Sequence, residues 1–487
     1  MAERTEVRSK GLALALLAMT QFVVILDASI VNVALPSIGT DLDFSQDNLS
    51  WVVNAYTLTF GGFLLLGGRM ADLLGRRRMF ISGLILFGIA SLLGGLAQSD
   101  AWLIAARAVQ GLGAALISPA ALSIVTTTFA EGAERNRALG VWGAVAGAGG
   151  AVGVLLGGVL TEYLGWEWVL LVNTPITLVA AFLAPRLLVE SRDDRESAFD
   201  IPGAVSVTAG LALLVYGLVN AEKAGWDSGE TLGILAGAVA LLVAFVVIES
   251  RTKHPLMPFS IFRLRTLRGA NIVGLLVGMS LFSMFFFISL YLQQVLGYEP
   301  LKAGFAYLPL SILIVVSAGG ASQLVTRFGF KPSLVTGMIF IAAGLLWFSQ
   351  VSPDGTYVGD VLFPSMLAAI GLGLAFVPVT IAAVTGTKPG EAGLASGMLN
   401  TTQQVGGALG LAIAATIANS ATRDALAGGE RNQAVALTEG FQDAFLACAG
   451  FAILGAVLAA VLISSKDSRE HAEAARRGEA ETVPVAG

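Results

Sequence analysis

Charge is what this sequence lacks most. Only 13% of its 487 residues are Asp, Glu, Lys or Arg, where a soluble domain carries roughly 25%. Hydrophobic residues make up 55% and the mean hydropathy is +0.77. A water-soluble globule is excluded, and the chain reads as an all-α polytopic membrane protein. Its one cysteine, Cys448, lies in the last apolar stretch, which excludes a disulfide framework and a thiolate metal site. The two histidines, His254 and His471, lie outside the apolar stretches, which excludes a histidine-clustered metal centre in the membrane. No intramembrane histidine, paired carboxylates or nucleophile with a base is present to suggest an enzyme. No metal, cofactor or nucleic-acid partner is expected.

What is present is a series of apolar stretches long enough to cross a bilayer. Fourteen can be drawn, the first at about 11–38 and the last at about 440–463. The basic start (Arg4, Arg8, Lys10) resembles a signal peptide, but the apolar run after it exceeds the usual 7–15 residues and is read as a retained helix. Of the 29 Lys and Arg, only Lys223, Lys302, Arg423 and Arg431 fall in loops on one side of this arrangement, and Arg107 alone falls within a helix. The positive-inside rule then puts both termini in the cytoplasm. The loop from His254 to Arg268 mixes apolar and basic residues and is expected either as a short interfacial helix or as a plain linker. The tail from Lys466 alternates in charge and is expected to be disordered or a frayed helix. The longest outer loop is expected at about 420–439.

An internal echo suggests how the chain is organised. GRMADLLGRRR (68–78) follows the second stretch and SQLVTRFGFKP (322–332) the tenth, with Thr326 where the first has Asp72. Two six-helix halves are expected, 1–195 and 253–465, joined by a two-helix spacer, 196–252, and followed by a tail, 466–487. Parallel repeats of this kind are typical of transporters, with the site near the midplane. Gly149, Gly153 and Gly157 recur at four-residue spacing. They suit close helix approach, whether at a moving interface or in ordinary tight packing.

Asp27 is the residue that composition least explains. It lies inside the first apolar stretch, where a carboxylate costs about 2.5–3.5 kcal/mol on an insertion scale. Such groups mark ion or substrate pathways, or else hydrogen-bond a neighbouring helix. Counted from the ends of their helices, Asp27 and Arg107 reach similar depths, so they are candidates for an ion pair, either fixed or one that opens and closes. Gln21, Asn32, Asn54, Tyr56 and Gln110 are the polar groups nearby in sequence terms. In the second half Met279, Phe282, Met284 and Phe286 offer an apolar lining for a cavity, or a face for lipid.

These stretches resemble the major facilitator superfamily, specifically its fourteen-helix drug:proton antiporter family. LDASIVNVALPSI is similar to the family's helix 1 motif, with Asp27 its acidic residue. GRMADLLGRRR is similar to the cytoplasmic gating motif, with Gly68, Asp72, Gly75, Arg76 and Arg77 in register. LIAARAVQGLGAA is similar to the helix 4 motif, carrying Arg107, Gln110, Gly111 and Gly113. The resemblance implies a monomeric plasma-membrane exporter of amphipathic, cationic drugs or toxic small molecules, driven by the proton gradient without a cofactor. Within it, Asp27 and Arg107 would couple protons. Gln21, Asn32, Asn54, Tyr56, Gln110 and Met284 would line the substrate cavity, and the 68–77 loop would lock the inner gate. A dedicated exporter of one metabolite, or a proton symporter, is the alternative. The sequence departs from the family where Gly150 and Val154 stand in place of the helix 5 prolines, and where Trp166-Glu167-Trp168 replaces Trp-Arg-Trp.

Overall fold

The computed structural model describes residues 2–44, 49, 51–130, 132–192, 200–252, 255–387 and 391–482. The domain boundary drawn at 195/196, Lys253, His254, Lys388 and residues 483–487 lie outside the described residues, as do the side chains of Arg4, Arg8, Glu222 and Lys223. No strand occurs among the described residues. A helix is the one open-ended element that satisfies its own backbone in hydrocarbon, and each apolar stretch has become one.

In chain order these are α1 (Ala2–Asp41), α2 (Trp51–Leu74), α3 (Arg76–Gly95), α4 (Asp100–Thr128) and α5 (Ala133–Tyr163). Then come α6 (Trp168–Leu187), α7 (Ile201–Ala224), α8 (Gly229–Arg251), α9 (Arg265–Val295) and α10 (Leu301–Phe328). The last are α11 (Phe330–Phe348), α12 (Tyr357–Val384), α13 (Ala392–Ala427), α14 (Gln433–Leu462) and a tail helix, α15 (Ser465–Thr482). Thirteen are long and apolar enough to span a membrane singly, and α5, bent by 41° between Gly150 and Val152, makes fourteen when taken as one span.

The chain packs as two compact units. Unit 1 comprises Met1–Phe129, Gly149–Leu264 and Gly386–Thr401; unit 2 comprises Ala130–Ala148, Arg265–Thr385 and Thr402–Gly487. Thus α5 begins in unit 2 and continues in unit 1, and α13 does the reverse.

Within unit 1, α2, α3 and α4 approach closely because glycine lines their contacts. A Cβ on Gly113 would lie 2.7 Å from Phe87 N, and one on Gly111 2.5 Å from Tyr56 O. The four-residue glycine row sits where the later part of α5 meets α1. A Cβ on Gly149 would lie 2.9 Å from Ile25 Cγ2, one on Gly153 2.9 Å from Leu26 O, and one on Gly157 2.6 Å from Ile30 O. The α7–α8 hairpin rests on α2 through Ala212, beside Gly62, and through Tyr216, whose ring stacks on Trp51. Val239, Val243 and Val246 leave α8 exposed along its length.

Within unit 2, α13 lies on α9 through Gly406 and Gly410, where a Cβ would meet the Leu275 and Met279 backbone. Several expectations are corrected here. In unit 1 the 254–268 loop holds a short 3₁₀ turn, Phe259–Arg263, with Leu256, Met257 and Ile261 buried and Phe259, Phe262 and Leu264 half-exposed. The tail forms α15, with Ser468, Ala472 and Ala475 buried on one face. The long outer loop is mostly helix, because α13 runs on to Ala427 and α14 starts at Gln433. In unit 1 the α7–α8 hairpin holds a buried acidic residue. Glu249, near the end of α8, is enclosed and accepts hydrogen bonds from Leu256 N and Met257 N.

Candidate functional site

Unit 1 holds a cluster of polar side chains inside its apolar packing. α1 supplies Asp27, α4 supplies Arg107 and Gln110 one turn apart, α3 supplies Ser91 and α6 supplies Asn173. Asp27 is 0% and Arg107 1% exposed. Arg107 Nη1 donates to Asp27 Oδ2 at 2.6 Å, while Gln110 Nε2 and Asn173 Nδ2 each donate to Oδ1 at 2.7 Å. The carboxylate therefore has three donors in place of water. Arg107 also donates to Gln110 Oε1 at 2.6 Å and to Val52 O at 3.0 Å, and its guanidinium lies over the Tyr56 ring, 4.4 Å from the centroid. Ser91 Oγ accepts from Gln110 and Asn173 and donates to Leu170 O, and Tyr56 OH donates to Val24 O. Leu26, Ile30, Val52, Leu103, Trp166 and Val169 belong to one hydrophobic core cluster of the same unit.

Enclosure makes each charge dependent on the other. A buried ion pair repays its desolvation only with good geometry and further hydrogen bonds, and both are present. Asn173 Oδ1 is buried without a hydrogen-bond donor. Turning that amide over would present an acceptor to Asp27 where a donor now stands. Asn173 can thus meet a charged or a protonated carboxyl group.

Asn173 and Ser91 are functional residues that sequence reasoning missed. The available signal was a polar residue within each of two apolar stretches, and an uncharged polar residue there does not stand out as a charge does.

A second polar site lies at the α2–α3 turn of unit 1. Asp72, fully buried, is bound by Arg76 Nη2 at 2.7 Å and accepts from Gly393 N and Leu394 N, at 3.1 and 2.9 Å, in the first turn of α13. Asp72 is therefore held by an arginine and by a helix N-terminus together. Gly68 lets α2 reach α13, since a Cβ there would lie 2.5 Å from Gly393 O. Gly75 makes the turn at φ 112°, a conformation that glycine adopts without strain. Glu190, beyond α6, accepts from Arg77 N and Arg78 N and so caps α3, while Ser191 O accepts from Arg76 N and its Oγ from Arg76 Nη1. Arg77 Nη1 donates to Leu188 O.

The remaining expected residues are dispersed. Tyr56, Gln110 and Gln21 are buried in unit 1, the first two as parts of the Asp27 cluster, so they present little surface to a solute. Asn54 is half-buried, and Asn32 is exposed, donating to Ala28 O on its own helix. In unit 2, Met284 is fully enclosed, whereas Phe282 and Phe286 are each 40% exposed.

An all-helical membrane protein with a compensated ion pair in one unit and a charge-capped turn at the end of α2 has the build of a polytopic transporter. The family model of the Major Facilitator Superfamily matches residues 17–411, and the chain belongs to that superfamily. It is 43% identical to the cephamycin export protein CmcT of Amycolatopsis lactamdurans, over 92% of each chain. It is 40% identical to the puromycin resistance protein pur8 of Streptomyces alboniger, over 93% of this chain and 91% of that one. Among solved structures, the proton:xylose symporter XylE superposes with a TM-score of 0.65 at 15% identity, covering 97% of this chain and 99% of XylE. That likeness concerns the fold.

Proposed function

We propose that this protein exports amphipathic, antibiotic-like small molecules, cationic ones among them, in exchange for protons. The observation that carries this reading is the enclosed Asp27–Arg107 pair. A carboxylate that alternates between charged and protonated states needs a partner whose hold it can gain and lose, and it needs neighbours that suit both states. Arg107 favours the charged form. Movement of Arg107 away, with Asn173 turned to accept, would favour the protonated one. The export named for CmcT supports the direction, and the cephamycin and puromycin of the two relatives' names support the substrate class. In this reading 1–195 and 253–465 are six-helix halves that alternate access, 196–252 is a spacer, and the turn at Asp72 locks the cytoplasmic end. The protein works as a monomer in the plasma membrane with both termini in the cytoplasm. It needs no cofactor beyond the proton gradient and has no catalytic activity.

A dedicated exporter of one metabolite is the second reading, and CmcT, by its name an exporter of one antibiotic class, favours it. Proteoliposomes with an imposed pH gradient test both, using ethidium, puromycin and lincomycin as probes. Gradient-driven transport of several probes supports the broad reading, and transport of one alone supports the narrow reading. Transport that ignores the gradient overturns proton exchange.

A further inference from the structure

The tail helix is bound more specifically than its polar sequence requires. Ser468, Ala472 and Ala475 recur at spacings of four and three, which puts them on one face of α15, and all three are buried. At its start, Ser468 Oγ accepts from Lys331 N at 3.0 Å, in the first turn of α11, and Lys331 Nζ donates to Ser465 Oγ at 2.8 Å. Thr266 Oγ1 of α9 donates to Asp467 Oδ2. Further along, Ala475 lies against Gly132, just before α5, where a Cβ on the glycine would be 3.1 Å from Ala475 Cα. Gly132 has φ 104°, so any larger residue would be strained there as well as crowded.

Between these points sits His471. Its ring meets Phe330 edge-on at 5.7 Å, and its Nε2 lies 3.0 Å from Asn136 Oδ1. The direction of that bond follows from the residues beyond it. Thr326 Oγ1 donates its proton to Ser322 O, so toward Asn136 it accepts, and it takes the Asn136 Nδ2 proton at 3.1 Å. The amide is thereby oriented with its oxygen toward α15, and His471 donates. A chain of hydrogen bonds thus runs from the tail helix through a fully buried asparagine of α5 to the threonine near the end of α10.

Thr326 occupies the place in the 322–332 echo that Asp72 holds in 68–78. Asp72 fastens the first turn of α13 with a charge-assisted hold. Thr326 lacks the charge, and neutral hydrogen bonds are roughly half as strong. The tail supplies what the threonine lacks, since His471 adds a second bond to Asn136. The segments after the sixth and fourteenth spans also do matching work. Ser191 O accepts from Arg76 N at the start of α3, as Ser468 Oγ accepts from Lys331 N at the start of α11.

We infer that α15 is a working part of the transporter, a second cytoplasmic latch in which His471 and Asn136 hold the first half of α5 to the α10–α11 turn. This inference rests on the transport reading above. His471 and Asn136 are positioning residues, because they touch neither a solute nor Asp27. Loss of one net hydrogen bond should shift the docked-to-undocked ratio of the tail about fivefold.

The latch can be tested on the full chain without reference to transport. Ser468→Cys places a thiol on the buried face of α15, and the one native cysteine, Cys448, is also buried. In inside-out vesicles a hydrophilic maleimide should label the Ser468→Cys protein slowly. Adding His471→Leu should raise labelling about fivefold, and adding His471→Gln, which keeps a donor at similar reach, should restore the slow rate. Without the reporter cysteine, His471→Leu should lower the maximal rate of ethidium export by up to the same factor, with KM unchanged, and His471→Gln should recover it. Labelling that ignores His471→Leu overturns the latch. Faster labelling with an unchanged or raised maximal rate reduces α15 to a structural attachment and overturns its working role. If the parent protein transports no probe at all, the transport reading fails, while the labelling result still decides whether the latch exists.

Discussion

Asp27→Asn separates the two things the buried carboxylate does. The substitution keeps the shape and removes the charge. If the new amide keeps its oxygen toward Gln110 and Asn173, its NH₂ group faces the Arg107 Nη1 that now donates to Asp27 Oδ2 at 2.6 Å. The opposite orientation sets the NH₂ against two donors instead. Neither satisfies the site, and Arg107 is left as a buried charge without its counter-ion. Removing one partner of a buried pair costs about 3–5 kcal/mol. The low end applies here, because Val52 O, Gln110 Oε1 and the Tyr56 ring still hold the guanidinium. Asp27→Asn should therefore melt below the parent in detergent. Adding Arg107→Gln makes the pair neutral and should recover most of that loss. In proteoliposomes with an imposed pH gradient both variants should accumulate ethidium no better than protein-free vesicles, while equilibrium ethidium binding stays within about tenfold of the parent, since Asp27 has no surface open to a solute. Parental gradient-driven export by either variant would remove Asp27 from proton exchange. A double variant that melts as low as the single would show that charge compensation is not what stabilises the cluster.

Other perturbations test neighbouring parts of the argument. Asp72→Asn removes the anion from the N-terminus of α13 and leaves buried Arg76 without its counter-ion, a loss of about 3 kcal/mol, and should speed maleimide labelling of a Leu394→Cys reporter while leaving ethidium affinity unchanged. A matching fall in affinity would point to a binding role instead. Asn173→Leu should slow gradient-driven export more than it lowers the melting temperature, because only the protonated state of Asp27 needs an acceptor there, and equal proportional losses would deny Asn173 that role. Glu249→Leu leaves Leu256 N and Met257 N without their acceptor, costing about 1–3 kcal/mol. Trypsin should then cut sooner at Arg263 or Arg265, and parental cleavage times would refute the anchor.

Much of this protein follows from composition and order alone. Thirteen to fourteen spans were readable because hydrocarbon demands long uncharged helices. Asp27 and Arg107 stood out because charge within a span is rare enough to need a reason, and the 68–77 turn through its echo at 322–332 and its resemblance to the family's gating motif. The two glycine turns at Gly75 and Gly329 were likewise visible as punctuation, each preceding a cationic helix start.

Tertiary structure alone decided which polar groups meet. Asn173 and Ser91 are distant in sequence from Asp27, and uncharged polar residues are too common within spans to be singled out. Tyr56 and Gln110 were expected to line a cavity, and packing enclosed them in the Asp27 cluster instead. Glu249 is enclosed where the chain after α8 folds back to give it two backbone donors. The tail shows the same limit most plainly. A charged segment reads as solvated when its own periodicity is all that is known, and the surface that receives Ser468, His471 and Ala475 is assembled from helix ends far apart in the chain. Local sequence sets whether a helix can form and whether it can cross a membrane. Which of its faces is used depends on partners that only the fold brings within reach.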